Sequence, residues 1–400
     1  MSSARALSPL TAGALLRKDA RRTLAVAGLA HALHDGYTDL IYVLLPVWQA
    51  EFGLGYGLLA LLRGLYAGNM AALQIPAGRL AERLGGRTIL ALGTALAALG
   101  YVLAGFSGGV AGLCTALALS GAGSSTQHPI ASAAVSRAYA VAARGPLGTY
   151  NFTGDLGKAA FPAITSLLLT LMPWRVSLWL LASLGGAVAV AVALLMPAIG
   201  RVRTGEGTAH PGAQRGRGRG GFALLFAIGV LDTAVRMGLL TFLPFLLKAK
   251  GAALPMVGLA LALVFIGGAA GKFACGWLGA RLGVLWTVLL TEGGTATCIL
   301  AVLVLPLAPT LALLPLLGVM LNGTSSVLYG TVPELTSPDY AERAFALFYT
   351  GTIGSGAVAP VLYGVLGDAV GPGWATVATA ATALTTLPLA LLLAPRLARI

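Results

Sequence analysis

Ionisable side chains occupy the middle of the first long apolar stretch of the chain. His31, Asp35 and Asp39 are four residues apart, so a helix places them on one stripe. Counted from Leu24, Asp35 lies about 16 Å along that helix, near the centre of a ~30 Å hydrocarbon layer. Charges at this depth are costly unless they face a water-filled cavity or each other. Together with His34 they are predicted to carry protons, since imidazoles and carboxylates in an apolar cavity can exchange protons near neutral pH.

Two further pairs of opposite charge fall at a similar depth. Asp155 and Lys158 are three residues apart, and Asp232 and Arg236 are four apart. One interpretation is two intrahelical ion pairs that offset the cost of burial. The other is that these four residues and Arg63 bind a substrate, with the basic groups contacting an anion.

The remaining intramembrane polar residues have less specific interpretations. His128 precedes a proline near the end of an apolar run and is predicted to serve gating or packing. A divalent metal at His31 and His34 is a weaker alternative to proton transfer, so neither a metal nor a cofactor is expected. Lys272 is expected to extend its amine to the membrane surface. Glu292 has no evident partner in the sequence.

Composition determines the elements that position these residues. The 400 residues are 57% hydrophobic and 10% charged, with a mean hydropathy of +0.86, whereas soluble domains carry about 25% charged residues. About twelve apolar runs are long enough to cross a membrane. The fold expected is therefore all-α, with twelve transmembrane helices. These include a first span near 24–48, a fourth near 110–135 and two consecutive spans at 255–277 and 284–305.

The net charge of +13 does not indicate a nucleic-acid partner, because most Lys and Arg residues fall in loops on one side of the predicted membrane. By the positive-inside rule, both termini and the central loop are expected in the cytoplasm, with the protein in a bacterial inner membrane. The predicted divisions are a basic N-terminus (1–23), a first bundle (24–199), a Gly/Arg-rich linker (200–220) and a second bundle (221–396).

The two bundles repeat one another in sequence. A shift of 198 residues places Pro46 on Pro244 and Gly85 on Gly283. Two parallel repeats of six helices, related by an axis along the membrane normal, would place a substrate site at their interface near mid-membrane.

The loop after the second span carries glycines, an acid and arginines at defined spacing: Gly78, Glu82, Arg83, Gly85 and Arg87. Residues 78–87 resemble the major facilitator superfamily signature G-x-L-A-D-R-x-G-R-(R/K), with Glu in place of Asp and Gly in place of one basic residue. The resemblance covers the whole chain. It implies a two-bundle transporter working by alternating access, in which this loop closes the cytoplasmic gate.

Three segments also look like those of fosmidomycin-resistance-type exporters. Residues 31–35 are similar to H-F-x-N-D, residues 121–129 to G-x-G-S-S-x-x-H-P, and residues 153–157 to G-G-N-F-G. That resemblance implies proton-driven drug efflux. The chain departs from it at Asp155 and Lys158, where those exporters carry neutral polar residues, and at His34, which replaces Asn.

These patterns predict a proton-coupled antiporter that exports a small organic compound, with organic anions and drugs as candidates. Two alternatives remain: a proton symporter importing an organic anion, and a non-transporting sensor or scaffold built on the same fold. No nucleophile–base pair or cofactor loop indicates an enzyme. The expected partners are the small-molecule substrate, protons and the bilayer, and the protein is expected to be a monomer.

Overall fold

The computed structural model describes residues 9–198, 219–336 and 341–397, which fold almost entirely into helices and contain no strand. Nearly all of the predicted linker 200–220 lies outside these ranges. The helices are α1 Pro9–Phe52, α2 Tyr56–Leu84, α3 Gly86–Phe106, α4 Val110–Ser124, α5 Gln127–Tyr139, α6 Arg144–Leu171, α7 Trp174–Leu195, α8 Arg219–Ala249, α9 Leu254–Val304, α10 Leu307–Thr331, α11 Ala341–Val370 and α12 Pro372–Leu397.

The prediction of twelve spans is confirmed, although spans and helices do not correspond one to one. The fourth span is divided into α4 and α5 at Ser125 and Thr126. The predicted eighth and ninth spans both lie within α9, which is interrupted at Gly283, where φ +77° and ψ +170° are not helical. Helix α1 has 44 residues and begins at Pro9, well before Leu24. At about 66 Å it is longer than a ~30 Å hydrocarbon layer, so its basic first turns project beyond the membrane.

The sequence repeat reappears in the backbone. Gly53 and Gly251 have φ values of +64° and +86°, and Gly85 and Gly283 have +93° and +77°. Both pairs are 198 residues apart. Because positive φ is readily adopted only by glycine, the same turns recur at equivalent places in the N-terminal half (α1–α7) and the C-terminal half (α8–α12).

The halves meet closely on one side of the protein. We call the side where α1 begins and α12 ends the termini face, and the other the opposite face. At the opposite face, the Asp368 carboxylate at the end of α11 accepts hydrogen bonds from the backbone N–H groups of Tyr56 (2.5 Å) and Gly57 (2.9 Å) at the start of α2. The Tyr56 ring also packs against Phe242 and Phe245 of α8. A carboxylate on one half thus caps a helix of the other half.

Towards the termini face the halves separate. Helix α2 is largely buried between Gly57 and Ala67, but beyond that point Ala77 is its only buried residue. Among the described residues, the halves are therefore in close contact at the opposite face, whereas α2 is more exposed towards the termini face.

Nine segments within the described residues are long and apolar enough to span a membrane on composition alone. The predicted spans that do not meet the requirements of length and hydropathy are α1, the α4–α5 pair and α6. Helices α4 and α5 are each too short, with 15 and 13 residues. Helices α1 and α6 are long enough but carry Asp35, Asp39, Asp155 and Lys158, which lower their mean hydropathy.

Candidate functional site

The most concentrated group of ionisable side chains is the N-half cluster, which we define as His31, Asp35, His128 and Lys158. The Asp35 carboxylate lies 3.3 Å from Lys158 Nζ, 3.4 Å from His31 Nε2 and 3.8 Å from His128 Nε2. Asp35 is 7% exposed, whereas the side chains of Lys158 and His128 are 32% and 41% exposed. The carboxylate is therefore buried more deeply than the two basic side chains beside it.

Glycines on α6 allow this cluster to form. A Cβ atom at Gly154 would lie 2.6 Å from Asp35 Oδ2 and 2.7 Å from His31 Nε2, and one at Gly157 would meet the backbone carbonyl of Ala32. Glycine at both positions lets α6 approach α1 closely enough for Lys158 to reach Asp35. His31 is held on its other side by contacts with Tyr150, whose backbone oxygen is 2.8 Å from His31 Nδ1 and whose ring stacks on the imidazole.

His34 lies apart from the cluster and uses both ring nitrogens in hydrogen bonds. Thr94 Oγ1 donates to the Leu90 carbonyl, so it accepts from His34 Nε2–H at 3.0 Å. His34 Nδ1 then accepts from Ser124 Oγ at 3.0 Å, and the Tyr66 hydroxyl donates to Ser124 at 2.7 Å. This assignment describes a neutral imidazole tying α1 to α3 and α4.

A second charged pair lies one turn along α1 from Asp35. Arg63 Nη2 is 4.0 Å from Asp39 Oδ1, and the guanidinium lies over the Tyr42 ring at 5.2 Å from its centroid. Arg63 is only 3% exposed. The Tyr42 hydroxyl contacts the Met237 sulfur of α8 at 3.3 Å, so this group reaches the interface between the halves.

The structure corrects two expectations about ion pairs. Asp155 does not pair with Lys158 along α6; it binds Lys272 of α9 at 2.5 Å. Lys272 thus bridges the two halves and does not extend to the membrane surface. The local spacing predicted the wrong partners because the facing helices supply better ones.

In the C-terminal half, Arg236 lies 3.9 Å from Asp232 Oδ2, as the intrahelical pairing predicted. The guanidinium is also 3.4 Å from Asn322 Oδ1 and from Thr233 Oγ1. Asp232 and Arg236 border a small cavity of about 30 Å³. Its other walls are Gly229, Thr233, Ser325, Leu328, Tyr329, Phe348 and Thr352.

Glu292, for which the sequence indicated no partner, is 2% exposed and contacts the Asp232 carboxyl group. The sequence alone gave no signal for this contact, since the two residues are on helices far apart in the chain. Glu292 Oε2 has no hydrogen-bond partner among the described residues.

Residues 78–87, the predicted gate loop, lie partly within helices. Gly85 makes the turn between α2 and α3 at φ +93°, but Gly78 lies within α2. Glu82 and Arg83, in the last turn of α2, form no ion pair with any residue that the structure describes. Arg87 Nη1 donates a hydrogen bond of 3.4 Å to the carbonyl oxygen of Met196, directly after α7. The loop therefore makes no ion pair with the part of the C-terminal half that the structure describes.

A metal could in principle use His31, Asp35 and His128, whose ligand atoms lie within 4.8 Å of one another. The Lys158 ammonium, 3.3 Å from the same Asp35 carboxylate, occupies the position of a counter-cation. The donor set therefore suits proton or anion chemistry better than a divalent cation.

Two helical halves with nine candidate membrane spans among the described residues, and with ion pairs within and between the halves, define a multi-pass membrane protein. Residues 24–220 and 225–399 match the model of the Major Facilitator Superfamily. The chain belongs to the Major Facilitator Superfamily. Membership makes it a secondary transporter acting on a small molecule in a lipid bilayer, and not an enzyme. The resemblance noted in the sequence is thereby confirmed for the superfamily.

Solved structures support the same fold. A bacterial homologue of the human lysosomal transporter Spinster, inward-facing and unoccupied, superposes with a TM-score of 0.78 at 16% identity, covering 95% of this chain and 98% of that one. A single-residue mutant of the nucleoside transporter NupG superposes with a TM-score of 0.79 at 11% identity, covering 93% of this chain and 99% of that one. At these identities the likeness concerns the fold alone. No curated protein matches the sequence.

Proposed function

We propose that the protein is a proton-coupled transporter of a small organic anion, with Asp35 and Lys158 as the coupling pair. The observation that carries the proposal is the arrangement of the N-half cluster. Lys158 is partly exposed, and the buried Asp35 carboxylate neutralises it at 3.3 Å. A cationic group with one buried carboxylate partner is suited to exchange that partner for a carboxylate or phosphonate from solution.

Protonation would control this exchange. When Asp35 is ionised it pairs with Lys158, and an arriving anion must compete with Asp35 for the ammonium group. When Asp35 takes up a proton the ammonium loses its partner and becomes available to the anion. His31, hydrogen-bonded at Nδ1 and 3.4 Å from Asp35 at Nε2, is placed to pass the proton. Asp39 is assigned to the same proton path, one turn further along α1.

The other predicted site residues take supporting roles in this proposal. His34 positions α1, because both of its nitrogens are already engaged. Arg236 faces the small C-terminal cavity and is the second candidate anion ligand, whereas Arg63 is buried behind Asp39 and holds that carboxylate. Asp155 holds Lys272 across the interface. The residues of the gate loop would contact the other half when the termini face closes.

Two directions of coupling are considered. The motifs similar to fosmidomycin-resistance-type exporters favour proton antiport and drug efflux. The Asp35–Lys158 contact favours the second candidate, proton symport, because the proton and the anion would bind together and not exclude each other.

The test is a pH-sensitive dye inside proteoliposomes exposed to a panel of phosphonates, organic acids and cationic drugs. We expect substrate-dependent proton movement in the wild type, loss of that movement in Asp35→Asn, and weaker substrate binding in Lys158→Ala. The matched control is Glu51→Gln, which removes a carboxylate paired with Arg175 inside the N-terminal half, away from the cavity. Wild-type proton movement in Asp35→Asn would refute the coupling role.

The same assay assigns the direction. An inwardly directed gradient of the anion is imposed in both cases. Proton entry into the proteoliposomes under this gradient would establish symport, and proton exit would establish antiport. A bacterial inner membrane, cytoplasmic termini, a monomeric state and the division into bundles 24–199 and 221–396 complete the proposal. Labelling of a cysteine placed at the exposed Arg17 from one side of intact cells would test the orientation.

A further inference from the structure

Among the described residues of the membrane-spanning helices, Glu292 is the carboxylate that lacks a cation of its own. Within the membrane-spanning parts that the structure describes, each basic group lies next to a different acid. These four pairs are Lys158–Asp35, Arg63–Asp39, Lys272–Asp155 and Arg236–Asp232. Glu292 is left over, at 2% exposure. An unpaired carboxylate in this position would leave an uncompensated charge in a low-dielectric region.

The surroundings of Glu292 do not supply the missing positive charge. The ionisable groups near Glu292 are Asp232 and Arg236, both on α8. The Arg236 guanidinium is already paired with Asp232. From α10 the hydroxyl of Thr324 faces it. Glu292 Oε2 is buried and has no hydrogen-bond partner among the described residues.

The neighbouring hydroxyls also constrain where a proton can be. Thr291 donates its hydrogen to the Thr287 carbonyl at 2.8 Å, so the 2.7 Å contact between Thr324 and Thr291 uses the Thr324 hydrogen. Thr324 then has no hydrogen to give to Glu292 and offers only an acceptor oxygen. A protonated Glu292 can donate to it, and an ionised one cannot.

We propose that Glu292 and Asp232 share one proton and form a proton-binding site in the C-terminal half. Two carboxylates in contact in an apolar region cannot both be ionised. With one proton the group formed by Asp232, Glu292 and Arg236 is electrically neutral, as the three pairs elsewhere are.

A route for this proton is present. Asp232 and Arg236 border the cavity of about 30 Å³, whereas Glu292 lies behind Asp232 and does not line it. A cavity of this size has room for one to a few water molecules. Protons would therefore reach Glu292 through Asp232. That the proton is carried during the transport cycle rests on the function proposed above, but its binding does not.

The experiment is infrared spectroscopy of the purified full-length protein in water and heavy water at neutral pH. We expect a C=O band of a protonated carboxyl group that shifts on deuteration and is lost in Glu292→Gln. The matched control, Glu51→Gln, should keep it, since that carboxylate is ion-paired at the opposite face. Glutamine resembles the protonated acid in shape and charge, so Glu292→Gln should keep the thermal stability of the wild type at neutral pH.

Absence of the band in the wild type, or its persistence in Glu292→Gln, would overturn the inference and leave the coupling role of Asp35 untouched. Loss of substrate-dependent proton movement in Glu292→Gln, with substrate binding retained, would support the carrying role. If the band behaves as expected but the wild type moves no protons with any compound in the panel, the proton site stands and the proposed transport coupling fails.

Discussion

The contact made by Asp368 offers a direct test of how the two halves are held in this conformation. Its carboxylate caps the start of α2 from the other half, with oxygens at 2.5 Å and 2.9 Å from two backbone N–H groups. These groups are at the end of a helix and have no partner within it. Asp368→Ala removes the cap without changing any residue of the N-half cluster. The variant should therefore shift the conformational equilibrium towards opening at the opposite face.

The size of the shift follows from the contact. Removal of a capping side chain costs about 0.5–2 kcal/mol, and interaction with the helix dipole contributes a further ~0.3–1 kcal/mol. Asp368 is exposed, so solvent screening reduces these values. A loss of about 1–2 kcal/mol from the present conformation corresponds to a change of about 5–30-fold in the ratio of the two conformations.

The shift can be measured as a distance between spin labels across the opposite face. Suitable sites are Gly108 in the N-terminal half and Gly373 in the C-terminal half, since a Cβ at either would meet nothing within 4 Å. The labels require replacement of the native cysteines Cys114, Cys275 and Cys298. Asp368→Ala should increase the long-distance fraction, and high salt should do so partially in the wild type, because it screens an exposed charge.

Glu51 provides a control on the same face. It pairs with Arg175 at 2.7 Å and accepts a hydrogen bond from Trp174, with all three residues in the N-terminal half. Glu51→Gln should leave the distance distribution unchanged. An unchanged distribution in Asp368→Ala, or an equal shift in Glu51→Gln, would refute the assignment of the cap as a contact that holds the halves together.

Two more predictions concern the N-half cluster. Gly154→Ala places a Cβ 2.6 Å from Asp35 Oδ2 and should lower stability by about 1–3 kcal/mol. Thermal unfolding followed by tryptophan fluorescence would measure this loss. The control is Gly186→Ala in α7, where a Cβ meets nothing within 4 Å, and it should lose no stability. His34→Asn should keep the pH profile of transport, because the imidazole serves as a neutral tie between helices; an altered profile would show instead that His34 transfers protons.

Much of the fold could be predicted because it depends on local patterns. Apolar runs predicted the spans, and the repeat that aligned Gly85 with Gly283 identified two turns that indeed adopt the same positive φ. The spacing of His31 and Asp35 likewise placed both on one stripe, and their side chains do meet at 3.4 Å.

Partners across helices could not be predicted from spacing. The i, i+3 relation of Asp155 and Lys158 permits an ion pair, but α1 presents Asp35 to the lysine and α9 presents Lys272 to the aspartate. Local spacing determines which face of a helix a residue occupies, whereas packing determines what lies opposite. Glu292 was uninterpretable for the same reason, since only the packing of α9 on α8 brings it to Asp232.

The low hydropathy of α1 and α6 has a consequence for biogenesis. Helix α1 leaves the ribosome before α6, yet an aspartate at the centre of a span adds about 2.5–3.5 kcal/mol to the apparent free energy of insertion by the translocon. The basic partner of Asp35 is on α6 and is synthesised only after the intervening spans. Insertion of α1 is therefore expected to be cooperative with later spans. Nascent chains truncated before α6 should be substrates for membrane quality control, even though α2 and α3 are apolar enough to insert alone.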